Sequence, residues 1–236
     1  MRFEPPRSAS DQFAAHHVDM TTQMLTRTVD SRLTWRRIVL IGAPLAWIPV
    51  AFLHPAASPD AVYEDLAAAA DRWLYVHLAQ LVLTLWLGVA MWIAVAGRRG
   101  LAASITRFAV PVFLVSFAAF DSVAGIATGL VVRHAQSLPA AQADGAASAT
   151  EYLALNYITG DFSPLGIISG ISLVAAVVGV AMTLRSAGAP RAVWISAFGG
   201  VLLNFHAAGV IPVVGLATFA VALYGADRRG LIVEAG

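Results

Sequence analysis

The sequence predicts an all-α, polytopic transmembrane helix bundle with six spans and its N-terminus on the inner side of the membrane. Of the 236 residues, 58% are hydrophobic and 12% are charged, against about 25% charged in an average soluble domain. Mean hydropathy is +0.73. Several apolar segments also reach the length of about 20 residues that a spanning helix needs. These observations exclude water-soluble folds.

Residues 1–34 differ from the rest of the chain in composition. They hold prolines, histidines and scattered charges but no apolar run, and they lack the short apolar stretch of a secretory signal. We expect a cytoplasmic N-terminal tail here. The transmembrane bundle follows over residues 35–227, and residues 228–236 form a short C-terminal tail.

The bundle contains five apolar segments. They are Ile38–Leu53, Trp73–Ala96, Phe108–Val132, Pro164–Leu184 and Pro190–Tyr224. The second, third and fourth have the length of a tilted spanning helix. The first is short unless Trp35 and the two arginines after it continue the helix at the interface.

The last segment is too long for one span. As a single helix, Pro190–Tyr224 would run about 52 Å, whereas the hydrocarbon core is about 30 Å thick. A break near residues 206–209, with Pro212 in the first turn of the next helix, divides it into two spans. Six spans are therefore predicted, and five spans with one long, broken last helix are the alternative.

Charge placement favours six spans with both termini inside. All the charged residues of the two inner loops are basic, and the outer loops 54–72 and 133–162 carry most of the acids. The inner basic residues are Arg98, Arg99, Arg107, Arg185 and Arg191. The outer acids are Asp60, Glu64, Asp65, Asp71, Asp144, Glu151 and Asp161. This distribution follows the positive-inside rule, and six spans also place Arg228 and Arg229 inside.

Tryptophans near the segment ends predict interfacial anchors. Trp35 and Trp194 would lie at the inner interface and Trp73 at the outer one, where amphipathic aromatic rings are enriched.

Two sequences in the outer loops have the residues that begin helices. Ser58-Pro59-Asp60 has a capping serine, a proline for the first helical position and an acid for the first turn, which predicts a helix over Pro59–Ala70. Ser163-Pro164 repeats the pattern at the start of the fourth span. Ala140–Ala149 is small and polar, and we expect it to be flexible.

Asp121 is the main candidate for chemistry, because it lies near the middle of the third segment. An ionised carboxylate there costs at least about 2.5 kcal/mol. Its helical neighbours form a stripe of small and polar residues: Ala124, Gly125, Thr128 and Gly129. Such a stripe packs closely against other helices, so Asp121 should point into the bundle. It is a candidate acid or proton relay, or else a structural group hydrogen-bonded to Ser122 or Asn204.

Four histidines fall at the outer end of the predicted bundle. They are His54, His77, His134 and His206. Neutral imidazoles from different helices can converge on a divalent metal or a haem iron, with His77 and His206 the deepest of the four. The alternative is that each histidine bonds water or a helix end, where the dipole favours a cation.

The predicted function is an outward-facing, intramembrane cavity that binds a ligand or substrate and is centred on Asp121 and Asn204. Ser122, Thr128 and Phe117 are further ligand-binding candidates. Three alternatives remain open: a redox module with a His-ligated haem or metal, a membrane-embedded enzyme in which Asp121 acts as acid on an isoprenoid or lipid, and a small proton-coupled transporter or accessory subunit.

Composition limits the partners and the chemistry. The absence of cysteine excludes disulfides and thiolate sites, and because all 15 basic residues are arginine, lysine Schiff bases are excluded. A net charge of +1 gives no reason to expect a nucleic acid. The expected partners are the lipid bilayer and a lipophilic small molecule, and the expected location is a bacterial cell membrane.

Overall fold

The computed structural model describes residues 35–58, 60–153, 163–203 and 209–232. The chain forms two compact units, Met1–Ile38 and Val39–Gly236. The described part of the first unit is residues 35–38, which are helical. The tail predicted for residues 1–34 lies outside the described residues.

The described residues are helical almost throughout and contain no strand. The helices are α1 (Trp35–Leu53), α2 (Val62–Ala68), α3 (Ala70–Ala94), α4 (Leu101–Asp121), α5 (Thr128–Ala135), α6 (Ala140–Leu153), α7 (Pro164–Ser186), α8 (Trp194–Leu202) and α9 (Val210–Arg228). A π-helical turn, Ser122–Ala127, joins α4 to α5, and a 3-10 turn, Arg191–Val193, precedes α8. The all-α prediction is confirmed.

Within the described residues, five helices are long and apolar enough to cross a membrane: α1, α3, the continuous run Leu101–Ala135, α7 and α9. They indicate a multi-pass membrane protein. The 35-residue run is longer than the predicted segment Phe108–Val132. It extends at both ends because the residues that flank the apolar segment, including Arg107 and Arg133, are also helical.

The main core lies between α4 and α7, which run antiparallel. Val177, Val180 and Leu184 of α7 are fully buried. Gly179 allows the backbones to approach, because a Cβ there would lie 2.9 Å from the carbonyl oxygen of Ala102. Thr106 donates to the Ala176 carbonyl across the same contact, 3.3 Å away. A small residue at the crossing is the usual solution for membrane helices.

The apolar run Pro190–Tyr224 forms two helices, α8 and α9, that pack against each other. α9 is long enough to span a membrane, and the α8 region, Arg191–Leu202, is a shorter apolar helix. α8 and α9 pack through Gly199 and Gly215, where a Cβ on either glycine would lie within 2.7 Å of the other glycine's carbonyl oxygen. The predicted break at residues 206–209 falls mostly on residues 204–208, outside the described chain. Gly209 itself precedes α9 with φ of 107°, a conformation that favours glycine.

Arginines gather at one end of the bundle, which we call the arginine end. The Arg98 guanidinium donates to the Leu231 carbonyl at 2.5 Å, and Arg107 donates to the carbonyls of Val95 and Arg98. Arg185 donates to the Ala189 carbonyl at 3.1 Å. These bonds satisfy carbonyls at the ends of α3 and α7. They also bring the segment after α9 to the loop between α3 and α4.

The opposite end carries α2, α6 and most of the acids, and we call it the acidic end. Gln136 donates to the Ala67 carbonyl at 2.6 Å, and the exposed Arg133 and Asp71 form an ion pair of 3.3 Å. An exposed pair of this kind adds at most about 1 kcal/mol. These contacts bring the end of α5 to α2 and to the start of α3.

The predicted role of Ser58 as helix N-cap is wrong. Helix α2 begins at Val62 after Ala61, and Ser58 instead donates to the Asp65 carboxylate through its backbone N–H at 2.8 Å and its hydroxyl at 2.9 Å. The two bonds hold the pKa of Asp65 below its ordinary value. Their contribution to stability is therefore present above the ordinary carboxyl pKa and lost as the pH falls through the lowered value.

Ser163 does cap α7, as predicted. Its hydroxyl accepts from the Gly166 N–H at 3.2 Å, with Pro164 in the first helical position. The expectation of a flexible Ala140–Ala149 is wrong, because α6 covers it. Alanine has the highest helix propensity of all residues. In this segment the helix propensity of the alanines outweighs the tendency of small and polar residues to form loops.

The tryptophan predictions divide. Trp35 and Trp194 are exposed, with 68% and 44% of their surface accessible, as an interfacial anchor requires. Trp73 is 3% exposed, so its assignment as an interfacial anchor is wrong. Its indole N–H binds a backbone carbonyl within the bundle, and a buried donor of this kind needs such a partner.

We expect Gly215→Ala to destabilise the protein by about 1–3 kcal/mol, because the new methyl group would meet backbone that cannot rotate away. The control is Gly225→Ala on the same helix, where a Cβ meets nothing within 4 Å. This change should leave stability unchanged or raise it by up to about 1 kcal/mol. Thermal unfolding in detergent measures both, and equal effects of the two substitutions would contradict the close helix contact.

Candidate functional site

Asp121 is the last residue of α4 before the π-helical turn and is 2% exposed. The stripe predicted to face other helices is buried with it, at Ala124, Gly125, Thr128 and Gly129. The inward direction of this helix face is therefore as expected. Asp121 shares the interior with a side chain of α3.

The ionisable side chain that faces Asp121 is His77 of α3. Its Nε2 lies 3.9 Å from Asp121 Oδ1, and the two side chains are 5% and 2% exposed. The distance is about 1 Å longer than a direct hydrogen bond. His77 Nδ1 lies 2.7 Å from the Trp73 carbonyl oxygen. Because a carbonyl only accepts, Nδ1 carries a proton, and Nε2 is the atom that can gain or lose one.

The π-helical turn after Asp121 changes the backbone hydrogen bonds at the site. The Gly125 carbonyl accepts from the Trp73 indole N–H at 2.9 Å, and the Val123 carbonyl accepts from the Thr128 hydroxyl at 3.0 Å. In an apolar bundle, irregular backbone persists only where side chains satisfy such groups. Trp73 thus holds the turn from α3, and its own carbonyl orients His77.

Gly125 is required for the approach of His77. A Cβ at this position would overlap the His77 ring at Cδ2 and Cγ. At Gly129 a Cβ would lie 3.0 Å from Trp73 Cδ1. The two glycines therefore form the surface against which Trp73 and His77 of α3 pack, and a larger residue would separate His77 from Asp121.

His54 completes an aromatic cluster around His77. Its ring centroid lies 5.0 Å from that of His77 and 5.3 Å from that of Trp73, both in edge-to-face geometry. Trp73 and His77 are themselves 4.4 Å apart. His54 Nδ1 donates to the Pro55 carbonyl at 2.8 Å. The cluster is buried, with His54 7% exposed, and it covers the His77 side facing the acidic end.

The other predicted site residues lie apart from this pair or outside the described chain. Ser122 is exposed and its hydroxyl donates to the Ala118 carbonyl at 2.6 Å, so it is not the partner of Asp121. Its position one residue along the helix turns it about 100° away. Thr128 is buried and binds the Val123 carbonyl. Phe117 packs edge-on against Trp47, with centroids 6.3 Å apart.

The four predicted histidines do not all converge. His54 and His77 are adjacent, whereas His134 is exposed in the last turn of α5. The helix turns the His134 side chain outward, away from His54 and His77. His206 and Asn204 fall outside the described residues. In the part of the chain that the structure describes, no three His, Asp or Glu side chains are placed to hold a metal ion.

Sequence reasoning missed Trp73 and Gln80. Trp73 was interpreted as an anchor from its place at the start of an apolar segment. Gln80 is fully buried in the middle of α3, one turn from His77. The sequence alone indicated this position. Exposing an amide to the lipid is unfavourable, as it is for other uncharged polar groups, so Gln80 should face the bundle interior.

An apolar groove of about 490 Å³ lies between α8 and α9 at the arginine end. Its walls include Val193, Ile195, Val221 and Ala222, together with Arg229. None of the predicted site residues lines it. The groove therefore gives no support to a cavity at Asp121.

Comparisons with protein-family models, with curated proteins and with solved structures found no match for this chain.

The chemistry of the pair follows from its charge. With no proton on Nε2 or on the carboxyl, the two facing atoms both carry lone pairs and the pair is an anion. One proton makes the pair neutral overall, either as a carboxylic acid facing an imidazole or as a carboxylate facing an imidazolium. Because an uncompensated charge in the bilayer core is expensive, the state with one proton is favoured. The pair can exchange that proton or replace it with a cation, and the carboxyl can also accept from a hydrogen-bond donor.

We expect Gly125→Ala to destabilise the protein by about 1–3 kcal/mol, since the methyl group would occupy the space of the His77 ring. The control is Gly145→Ala in α6, where a Cβ meets nothing within 4 Å. Thermal unfolding measures stability, and the histidine NMR signals report the displacement of His77. Unchanged stability and unchanged signals in Gly125→Ala would contradict the close packing.

Proposed function

We propose that this protein spans a bacterial cell membrane six times and binds a ligand inside the membrane, in a cavity that opens to the outer side. The site is centred on Asp121 and His77, and Asn204 is a predicted further contributor. The ligand is a small molecule that carries a positive charge or a hydrogen-bond donor, and its binding is linked to a proton on the pair.

One observation carries the proposal: the carboxylate of Asp121 is buried and only partly matched. Oδ1 lies 3.9 Å from His77 Nε2, and Oδ2 has no hydrogen-bond partner among the described residues. A buried carboxylate oxygen without a donor is unfavourable. A ligand that supplies a donor or a positive charge is therefore stabilised at this position.

Depth supports the outward opening. His77 lies two turns from the start of α3, and the residues around that start belong to the acidic end. In membrane proteins, the loops on the cytoplasmic side carry an excess of Lys and Arg. The arginine end is thus the inner one in our proposal, and the Asp121–His77 pair lies in the outer half of the bundle.

The six-span topology has a structural argument of its own. The bond between Arg98 and the Leu231 carbonyl brings the segment after α9 to the loop that joins α3 to α4. An even number of crossings between these two points is needed for them to meet, and α4, α7, α8 and α9 provide four. The 12 residues Arg191–Leu202 extend about 18 Å, so the fifth span is short.

Proton-coupled transport is a second candidate, favoured by the π-helical turn at Ser122–Ala127. Such turns occur frequently at functional sites and mark places where a helix can change its hydrogen bonding. Here the turn follows Asp121 directly. A change in the charge of the pair could therefore alter the helix at the same point.

Single cysteines test the topology, because the native chain has none. We expect Ser137→Cys to react with a membrane-impermeant maleimide in intact cells. We expect Ser186→Cys and Arg229→Cys to react only after the membrane is permeabilised. All three positions are exposed. Labelling of Arg229→Cys from outside would contradict the six-span topology, and outside labelling of Ser186→Cys would contradict the orientation.

Proton exchange tests the site. We expect acid–base titration of the purified protein to show that His77→Gln changes the titration of Asp121, and that Asp121→Asn changes that of His77. The changes that the two substitutions cause in the pH dependence of the free energy of unfolding should be strongly non-additive in the double variant, because the two groups share one proton. The control is Asp71→Asn, which removes a carboxylate that is 71% exposed. Additive effects of His77→Gln and Asp121→Asn would contradict a shared proton.

A further inference from the structure

Polar side chains continue along α3 beyond the Asp121–His77 pair, towards the arginine end. Gln80 and Thr84 follow His77 at spacings of three and seven residues, which places all three on one face of the helix. Gln80 is 0% exposed and Thr84 is 2% exposed. The face is therefore buried in the bundle and polar over about two turns.

These polar groups lack hydrogen-bond partners among the described residues. The unpartnered atoms are Gln80 Nε2 and Oε1, Thr84 Oγ1, Trp47 Nε1 and Asp121 Oδ2. Nearly all buried polar groups in proteins have a partner, which is either protein or ordered water. Several orphan atoms on neighbouring helices point to a common partner.

Helix register places the residues that carry the orphan atoms at similar levels in the bundle. Contacts between His77 and Asp121 and between Gly88 and Leu114 show that α3 and α4 run antiparallel. The same register puts Gln80 at about the level of Asp121 and Thr84 at about the level of Phe117.

Helix α1 places Trp47 at the same level of the bundle. His54 of α1 packs on His77, and Trp47 packs on Phe117. Trp47 is therefore within about one turn of the level of Thr84. We call Asp121, Gln80, Thr84 and Trp47 the polar column.

We propose that the polar column binds a file of water molecules that leads from Asp121 to Thr84. Water both donates and accepts, so it matches the amide of Gln80, the hydroxyl of Thr84, the indole N–H of Trp47 and the carboxyl of Asp121. The inference deepens the proposed function, because this water is the carrier of the proton that the Asp121–His77 pair exchanges. Several polar partners for each water are what a stable buried site requires.

The water file ends at an apolar barrier. One and two turns beyond Thr84, α3 carries Leu87 and Met91, which are 3% and 0% exposed. They belong to the core that also contains Leu40, Val177 and Leu184, all fully buried. A core of this kind offers water no hydrogen-bond partner. The polar column is thus closed towards the arginine end.

Silver ions test the polar column in the otherwise cysteine-free chain. Thr84→Cys places a thiol on the column, and Met91→Cys places a thiol on the same helix face, two turns further along. Each variant in membrane vesicles is exposed to Ag⁺, washed and denatured, and the free thiol is counted with a fluorescent maleimide. We expect Ag⁺ to block Thr84→Cys at least ten times faster than Met91→Cys, because Ag⁺ travels with water.

Two results would overturn the proposal. If Thr84→Cys is blocked as slowly as Met91→Cys, no water file leads to Thr84 from the outer side. If both are blocked rapidly, the barrier does not exist. A dry column with intact proton coupling between Asp121 and His77 would reject the water file alone, whereas loss of that coupling would reject the proposed function.

A second variant covers the case in which the cysteine proteins do not fold. Gln80→Met keeps the size of the side chain and removes its amide. If water satisfies the amide, the substitution lowers the unfolding temperature and slows proton exchange at Asp121. If the amide is truly unpaired, the substitution raises the unfolding temperature, and this result would contradict the proposal.

Discussion

The structure around α3 and α4 depends on one constraint: a carboxyl group lies inside an apolar bundle and must be neutralised or matched there. Asp121 is the buried acid of the long helix, and His77 Nε2 faces it at 3.9 Å. The Trp73 carbonyl fixes the proton on His77 Nδ1 and thereby directs Nε2 at the acid. Charge neutrality of the pair is what makes the buried position tolerable.

The π-helical turn and the glycines follow from the same constraint. His77 reaches Asp121 only because Gly125 has no side chain, and the turn presents the Gly125 carbonyl to Trp73. Trp73 therefore has two roles. Its indole N–H donates to the Gly125 carbonyl of the π-helical turn, and its carbonyl accepts from His77 Nδ1 on the same helix. Loss of the bond to the Trp73 carbonyl would remove the hydrogen bond that orients the His77 ring towards the carboxyl.

Much of this arrangement was predictable from the sequence, but the pairing was not. The stripe of small residues after Asp121 correctly gave its inward direction, and Ser163-Pro164 correctly gave the start of α7. The identity of the partner depends on the register between α1, α3 and α4, which no local pattern determines. For the same reason Trp73 was mistaken for an anchor. Ser58 does not cap the helix because its hydroxyl and its backbone N–H both donate to the charged carboxylate of Asp65, seven residues away.

The most direct test is nitrogen NMR of His77 in lipid bilayers, with labelled histidine assigned through the His77→Gln variant. We predict that Nδ1 is protonated at all pH values studied and that the Nε2 signal changes when Asp121 is replaced by Asn. The same substitution at Asp71 should leave the signal unchanged. A His77 Nε2 signal that does not respond to Asp121→Asn would contradict the shared proton, and with it the proposed site.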